Sequence, residues 1–208
     1  MYIDLRKTLE RIERCLPEGG APTPKQLCQI YDRVLRLRSQ LLSVIHDQET
    51  FGATGRQERE RIAERLSAGA SDGAAVTLTF EEPLPAAKEL TAAVEGHWLD
   101  LMQAATRKAR QEKPLPYFEK AFVQIKIITP RGADNTKVWD ASNRAVNVII
   151  NNLKGVFFHD EDMEHMAFSV VGSWGEQGVT IIRVSAFDES RQIGPSDFKQ
   201  GQAETMGF

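Results

Sequence analysis

The chain has 208 residues, 41% of them hydrophobic, and a formal net charge of −3 at pH 7. This length allows one domain with an extension, or two small domains. The mildly negative charge argues against a protein that coats nucleic acid through bulk charge alone, although an enzyme with a local basic patch is compatible with it. No apolar run approaches the roughly 20 residues that span a bilayer. The charged first residues show no secretion signal, so we expect a cytoplasmic protein without membrane contact.

Residues 1–70 are predicted to form a helical region. Apolar residues recur at spacings of three and four from Leu5 to Leu16, which predicts a first helix. A second helix should begin after Thr23, because Pro24 suits the first helical position and Gln26 can close a capping box. Its apolar residues form a stripe that needs a partner: Leu27, Ile30, Val34, Leu37, Leu41 and Val44. The first helix could supply that partner as a hairpin, and a second copy of the chain is the alternative.

After the helical region, the pattern changes to alternating strands and helices. Charged residues 56–69 continue as helix, and the small residues of 68–75 predict a linker. In chain order we then predict a strand at Val76–Phe80, a helix at Ala86–Lys113, a strand at Ala121–Ile128, a helix from Asp140, and strands at His165–Trp174 and Val179–Phe187. The last two strands are predicted to pair as a hairpin across a glycine-rich turn.

This order of strand, helix, strand, helix, strand and strand predicts an α+β domain over residues 71–188. We expect a small mixed β-sheet with packed helices, preceded by an N-terminal helical hairpin. Residues 189–208 contain too little apolar surface to order themselves and are predicted to be a flexible tail. Cys15 and Cys28 have no CxxC spacing, so reduced thiols are expected rather than a zinc site.

The helix that begins at Asp140 has two different faces. Its polar stripe, at 100° per residue, contains Asp140, Asn143, Arg144, Asn147, Asn151 and Lys154. The opposite side carries Ala145, Val146, Val148, Ile149, Ile150 and Leu153. Asparagine costs about half a kcal/mol against alanine inside a helix. The asparagines of the polar stripe therefore favour hydrogen bonds across a groove or to a ligand. A solvated face with an N-cap aspartate is the alternative.

An acidic cluster, Asp160, Glu161, Asp162 and Glu164, follows the glycine after this helix. Adjacent residues point in different directions, so at most two of the four could ligate one ion together. An acidic turn before a strand is the simpler interpretation. His159 beside the cluster is a candidate ligand or proton-transfer group, whereas His97, on an apolar helix stripe, is predicted to be a core histidine.

The pattern D-x-x-N…LKGVFF-x-D-E-D, from Asp140 to Asp162, resembles the RusA family of crossover-junction endodeoxyribonucleases. These are small resolvases of four-way DNA junctions that are associated with phages and prophages. The resemblance covers about residues 76–186, and the N-terminal helices have no counterpart in the minimal family architecture. It implies a homodimer that acts on branched DNA (Holliday junctions) in recombination and repair. It also implies Mg²⁺ or Mn²⁺, bound through aspartates, which would activate water for phosphodiester hydrolysis.

The resemblance and the polar stripe together give roles to individual residues. The implied metal ligands are Asp140, Asp160 and Asp162. The implied catalytic residues are Asp140, Asp160, Asn143 and Arg144. The implied substrate-binding residues are Lys126, Lys137, Asn147 and Asn151. Asp140, Asn143 and Asp160 match the family pattern position by position. Asp162 or Glu161 could supply a further carboxylate, with Asp134 as an alternative, and Lys126, Lys137 or Arg144 could supply a cation near the scissile phosphate. Asn147 and Asn151 are candidates because they lie on the polar stripe of the helix.

The chain also departs from the family pattern. Ser142 stands where the family has its second aspartate, Val146 where a functional lysine is usual, and His159 where the first acid of the pair is usual. These departures favour a second hypothesis, in which the fold has lost catalysis and serves as a binding or scaffold protein. Its N-terminal helices would then make dimer or partner contacts. A structural dimer without nucleic-acid contact is a third interpretation.

Overall fold

The computed structural model describes residues 5–17, 19–45, 48–85, 90–130 and 144–188. The predicted α+β class is confirmed, because helices in these residues pack on a mixed five-stranded sheet. The elements are α1 (Leu5–Glu13), α2 (Pro24–Ile45), α3 (Gln48–Leu66), β1 (Ser67–Ser71), β2 (Ala75–Phe80), α4 (Ala92–Glu112), β3 (Ala121–Pro130), α5 (Arg144–Leu153), β4 (Met166–Gly175) and β5 (Val179–Ala186). None of the described helices has the length and apolar composition needed to cross a membrane.

The strands lie in the order β1-β2-β5-β3-β4. Only β3 and β4 run parallel, and the other neighbours are antiparallel. The predicted hairpin of the last two strands is wrong, because β3 lies between β4 and β5. The chain leaves β4 at Gly175, opposite Pro130, and enters β5 at Val179, opposite Ile128. It therefore crosses the end of β3, a gap of two strand spacings or about 10 Å, which the short turn can span.

Strand β1 replaces the predicted linker, which is also wrong. Ser67–Ser71 pairs with β2 along its whole length and packs against α4. A Cβ atom at Gly69 would lie 1.9 Å from the carbonyl oxygen of Ala105. Gly69 is thus required here by the close approach of the strand to the backbone of α4.

Helices α4 and α5 cover one face of the sheet. Val123, Ile125 and Ile127 of β3 point into this core, where they join buried residues of both helices. Phe80 and Trp98 meet edge to face, with ring centroids 5.4 Å apart, a favoured aromatic geometry. The alternating residues of β3 and β5 point to the other face, where Gln124, Lys126 and Arg183 are exposed. Helices α4 and α5 therefore lie on one side of the sheet, and the described side chains on its other side include exposed polar residues.

Helix α2 begins at Pro24, where the sequence predicts it, whereas α3 begins at Gln48, before the predicted start at residue 56. The amide of Thr23 donates to Oε1 of Gln26 (2.9 Å), and the amide of Gln26 donates to Oγ1 of Thr23 (3.3 Å), so the capping box is confirmed. Helix α1 contacts α2 through Arg33, which donates to the carbonyl of Arg11. The apolar stripe, however, is not fully packed: Leu27 and Val34 remain 52% and 45% exposed.

Candidate functional site

The candidate site lies at the C-terminal end of α5, but the structure describes only part of the predicted site. Lys137, Asp140, Ser142 and Asn143 fall outside the described residues, as does the side chain of Arg144. The roles predicted for them therefore stay predictions. The remaining candidates belong to α5, to the turn after it, and to β3.

Helix α5 has the two faces that the sequence predicts. Asn147 and Asn151 are exposed, while Ala145, Val146, Ile149, Ile150 and Leu153 are buried in the core. Lys126 lies on the opposite face of the sheet, since it alternates with the buried Ile125 and Ile127. The structure thus brings Asn147 and Asn151 onto one surface and places Lys126 on another.

A tight turn at Gly155 redirects the chain after α5. Gly155 has φ = 73°, a left-handed conformation that costs little only for glycine, and its amide donates to the carbonyl of Phe158 (2.8 Å). Phe157 and Phe158 are then fully buried, and the carbonyl of Phe157 accepts from the amide of Phe118 (2.8 Å). These two aromatic side chains anchor the turn, so that the acids that follow return to the end of α5.

Lys154 binds two of these acids. Its Nζ lies 2.5 Å from Oδ1 of Asp160 and 2.5 Å from Oε2 of Glu161. The hydrogen bond from Lys154 holds the pKa of Asp160 well below its ordinary range. The hydrogen bonds to Asp160 and Glu161 in turn raise the pKa of Lys154 to about 12. The Lys154–Asp160 pair is therefore ionised across the physiological range, and the lysine neutralises part of the acidic charge.

Asp162 is engaged differently. Its Oδ1 accepts hydrogen bonds from Nδ1 of His165 (2.7 Å), from the amide of His165 (2.9 Å) and from the amide of Glu164 (3.0 Å). These bonds, led by the one from the His165 side chain, lower the pKa of Asp162. The His159 ring lies 5.2 Å from the His165 ring. Asp162 thus caps the turn that leads into β4, where the amide of Ala121 binds the carbonyl of His165.

Asp162, Glu164 and His165 form the one group in the described residues that could offer three ligand atoms to a cation. The ligand atoms lie within 4.8 Å of one another. The structure brings Asp162 together with these two residues, and Asp160 does not belong to this group. The two carboxylates suit Mg²⁺ or Mn²⁺, whereas imidazole suits zinc or iron. The carboxylates fit a hard divalent cation, but His165 would first give up its bond to Asp162 if it ligated through Nδ1.

A second charged cluster was missed by the sequence analysis. Glu82 is buried, and it pairs with Arg38 of α2 and with Nε2 of His97, which lies 3.1 Å from both carboxylate oxygens. The carbonyl of Glu82 accepts from Oγ1 of Thr180 (2.8 Å). His97 is 2% exposed, so the core prediction for it is confirmed. Glu82 continues the inward alternation of Leu78 and Phe80, a signal that could have identified it.

Comparisons with protein-family models, with curated proteins and with solved structures find no match to this chain.

Proposed function

We propose that this protein is a divalent-metal-dependent endodeoxyribonuclease of the RusA type that cleaves branched DNA. The observation that supports it is the acidic turn at the end of α5, which occupies the second half of the Asp140-to-Asp162 pattern. The turn carries four carboxylates between residues 160 and 164, on a largely exposed surface. Two anchoring phenylalanines hold it against the core.

In this proposal Asp140, Asp160 and Asp162 hold Mg²⁺ or Mn²⁺. The bound metal would supply an activated water and charge stabilisation for phosphodiester hydrolysis. Magnesium retains several waters and needs few protein carboxylates, which suits an exposed turn. Asn147 and Asn151 would contact the DNA beside the turn. Lys126, on the opposite face of the sheet, would contact a separate part of a branched substrate.

Lys154 has a specific part in the proposed site. It holds Asp160 ionised and pointing toward the end of α5 through a 2.5 Å ion pair. A metal that binds Asp160 would compete with the ammonium group, because both need the same carboxylate. Replacing Lys154 with methionine should therefore tighten Mn²⁺ binding, as measured by electron paramagnetic resonance of the free ion, if Asp160 is a ligand. Unchanged Mn²⁺ affinity would remove Asp160 from the ligand set.

Cleavage of labelled four-way junctions in Mg²⁺ or Mn²⁺ tests the activity itself. We expect Asp140→Asn and Asp160→Asn each to lower the cleavage rate at least about 100-fold, the size typical for loss of a group that stabilises transition-state charge. Glu176→Gln, which removes an exposed acid in the turn between β4 and β5, is the matched control and should cleave normally. Absence of cleavage with both metals would refute the enzyme proposal.

A binding protein without catalysis is the second candidate. Val146 favours it, because this residue is 3% exposed on the core side of α5, where the resembled family usually has a functional lysine. This candidate predicts a homodimer that binds branched DNA or a protein partner equally well in EDTA and in Mg²⁺. Binding that requires the metal would exclude it.

A further inference from the structure

A groove lies between the end of α1 and one face of α2. It has a volume of about 770 Å³, and four arginines line it: Arg11, Arg14, Arg33 and Arg36. Among the described residues, no acidic side chain belongs to its lining. The groove is far from the resembled family pattern in the sequence, and nothing in the proposed cleavage site uses it.

The face of α2 that lines the groove repeats along the helix. Its polar residues follow each other at spacings of three, four, three and four: Gln26, Gln29, Arg33, Arg36 and Gln40. They therefore form one straight row on the helix. Fourteen residue steps at 1.5 Å give a row about 21 Å long. Leu27 and Val34, the exposed apolar residues of α2, do not belong to this row.

The arginines of the groove differ from those of α3 in their partners. On α3, Arg56 binds Glu60 and Arg61 binds Glu58, and the helix contains equal numbers of acidic and basic residues. Helix α2 has one acid, Asp32, against four basic residues. In the part of the chain that the structure describes, no carboxylate forms an ion pair with any of the four groove arginines. Their positive charge is thus concentrated at one surface of a protein whose net charge is −3.

The occupant must be an extended anion with repeated charges. A row about 21 Å long is longer than a single phosphate group, and guanidinium groups bind phosphate oxygens in bidentate geometry. Glutamine side chains add donors for phosphate and sugar oxygens. Of the described residues that line the groove, Cys15 and Leu37 alone are neither charged nor strongly polar. The energetic centre of a protein interface, in contrast, is usually an aromatic or apolar anchor. These features favour a phosphate backbone over an acidic protein segment.

We infer that the α1–α2 groove binds the phosphate backbone of nucleic acid. The groove thereby gives the protein a contact surface that is independent of the acidic turn at α5 and requires no divalent metal. This inference goes beyond the proposed cleavage and does not depend on it.

Binding of a fluorescent 30-base-pair duplex in EDTA, measured by anisotropy over a range of salt concentrations, tests the inference. The test variant is Arg14→Gln with Arg36→Gln; Arg33 is left intact because it donates to the carbonyl of Arg11. We expect affinity to fall at least about tenfold at 0.1 M salt, and the slope of log affinity against log salt to shrink by about 2, one for each lost phosphate contact. Arg14→Lys with Arg36→Lys should keep most of the affinity, because the charge remains.

The matched control is Arg56→Gln with Arg61→Gln, which removes the same charge from α3 and should bind within about twofold of the parent. Equal losses in the test and control variants would mean that only net charge matters and would overturn the inference. Unchanged binding by the test variant would also overturn it. So would poly-glutamate that binds the groove as tightly as the duplex, since the surface would then serve an acidic protein. Because EDTA is present throughout, failure of the nuclease proposal leaves this result unaffected.

Discussion

Two networks of charged side chains in this protein differ in burial and in the sequence separation of their members. Glu82 joins residues far apart in the sequence, Arg38 of α2 and His97 of α4, within the core. Lys154 joins Asp160 and Glu161, only a few residues away, at the surface. The first network links α2 to α4, because each partner of Glu82 belongs to a different helix. The second network orders a single turn, and its groups stay accessible to solvent.

The two networks differ in what their charged groups contribute to stability. A buried charged group that loses its partner keeps a large desolvation cost, so the members of the Glu82 network depend on one another. An exposed ion pair contributes little to stability because water screens it. Loss of the Lys154–Asp160 ion pair should therefore cost the fold little.

Removing the centre of the buried network should have the largest effect. Glu82→Ala leaves Arg38 and His97 without their carboxylate, and we expect the free energy of unfolding to fall by about 3 kcal/mol, the lower end for a broken buried pair because Arg38 is partly exposed. Urea denaturation measures it. Glu81→Ala, the exposed neighbour, should change stability by less than about 0.5 kcal/mol. Equal effects at the two positions would contradict a structural role for Glu82.

A smaller effect is expected at the turn that presents the acids. Gly155 has φ = 73°, and no atom lies within 4 Å of the position that a Cβ would occupy there, so alanine meets only the cost of the left-handed backbone. Gly155→Ala should lower the free energy of unfolding by about 1 kcal/mol. Gly19→Ala, also in open space and without a positive φ, is the matched control and should not destabilise. A neutral Gly155→Ala would show that the turn can relax.

The smallest effect on stability, and a clear effect on titration, is expected for Lys154→Met. The variant should unfold at an only slightly lower urea concentration, because the ion pair is exposed, while the pKa of Asp160 rises toward its ordinary value of 3.8. Carboxyl carbon NMR titration measures this pKa, and Lys126→Met, on the other face of the sheet, should leave it unchanged. An Asp160 pKa that stays low in Lys154→Met would assign the shift to the hydrogen bonds with Glu161 instead.

The direction of the pH dependence follows from the two pKa shifts. Because the pKa of Asp160 is lowered in the folded protein, its contribution is present above pH 3.8 and is lost as the pH falls through the folded value. The pKa of Lys154 is raised, so its contribution is complete below pH 10.5 and is lost as the pH rises through about 12. The ion pair therefore persists across the whole physiological range.

Local signals in the sequence determined much of the fold. The capping box at Thr23, the alternation in β3 and the two faces of α5 each follow from the residues themselves, because helix caps and hydrophobic periodicity act over a few positions. The buried state of His97 was also predicted from its place on an apolar helix stripe. Of the predicted site, the sequence correctly placed Asn147 and Asn151 on an exposed surface of α5.

Contacts between distant segments were decided only by the tertiary structure. Ser67–Ser71 is a strand because α4 and β2 accept its small residues, and nothing within that segment indicates this. The separation of β4 from β5 follows from β3, which pairs with both strands. The partners of Glu82 lie 44 and 15 positions away, and Lys126 is separated from the α5 stripe by the sheet itself. Local patterns determine which elements form, whereas pairing and burial depend on partners that no short stretch of sequence contains.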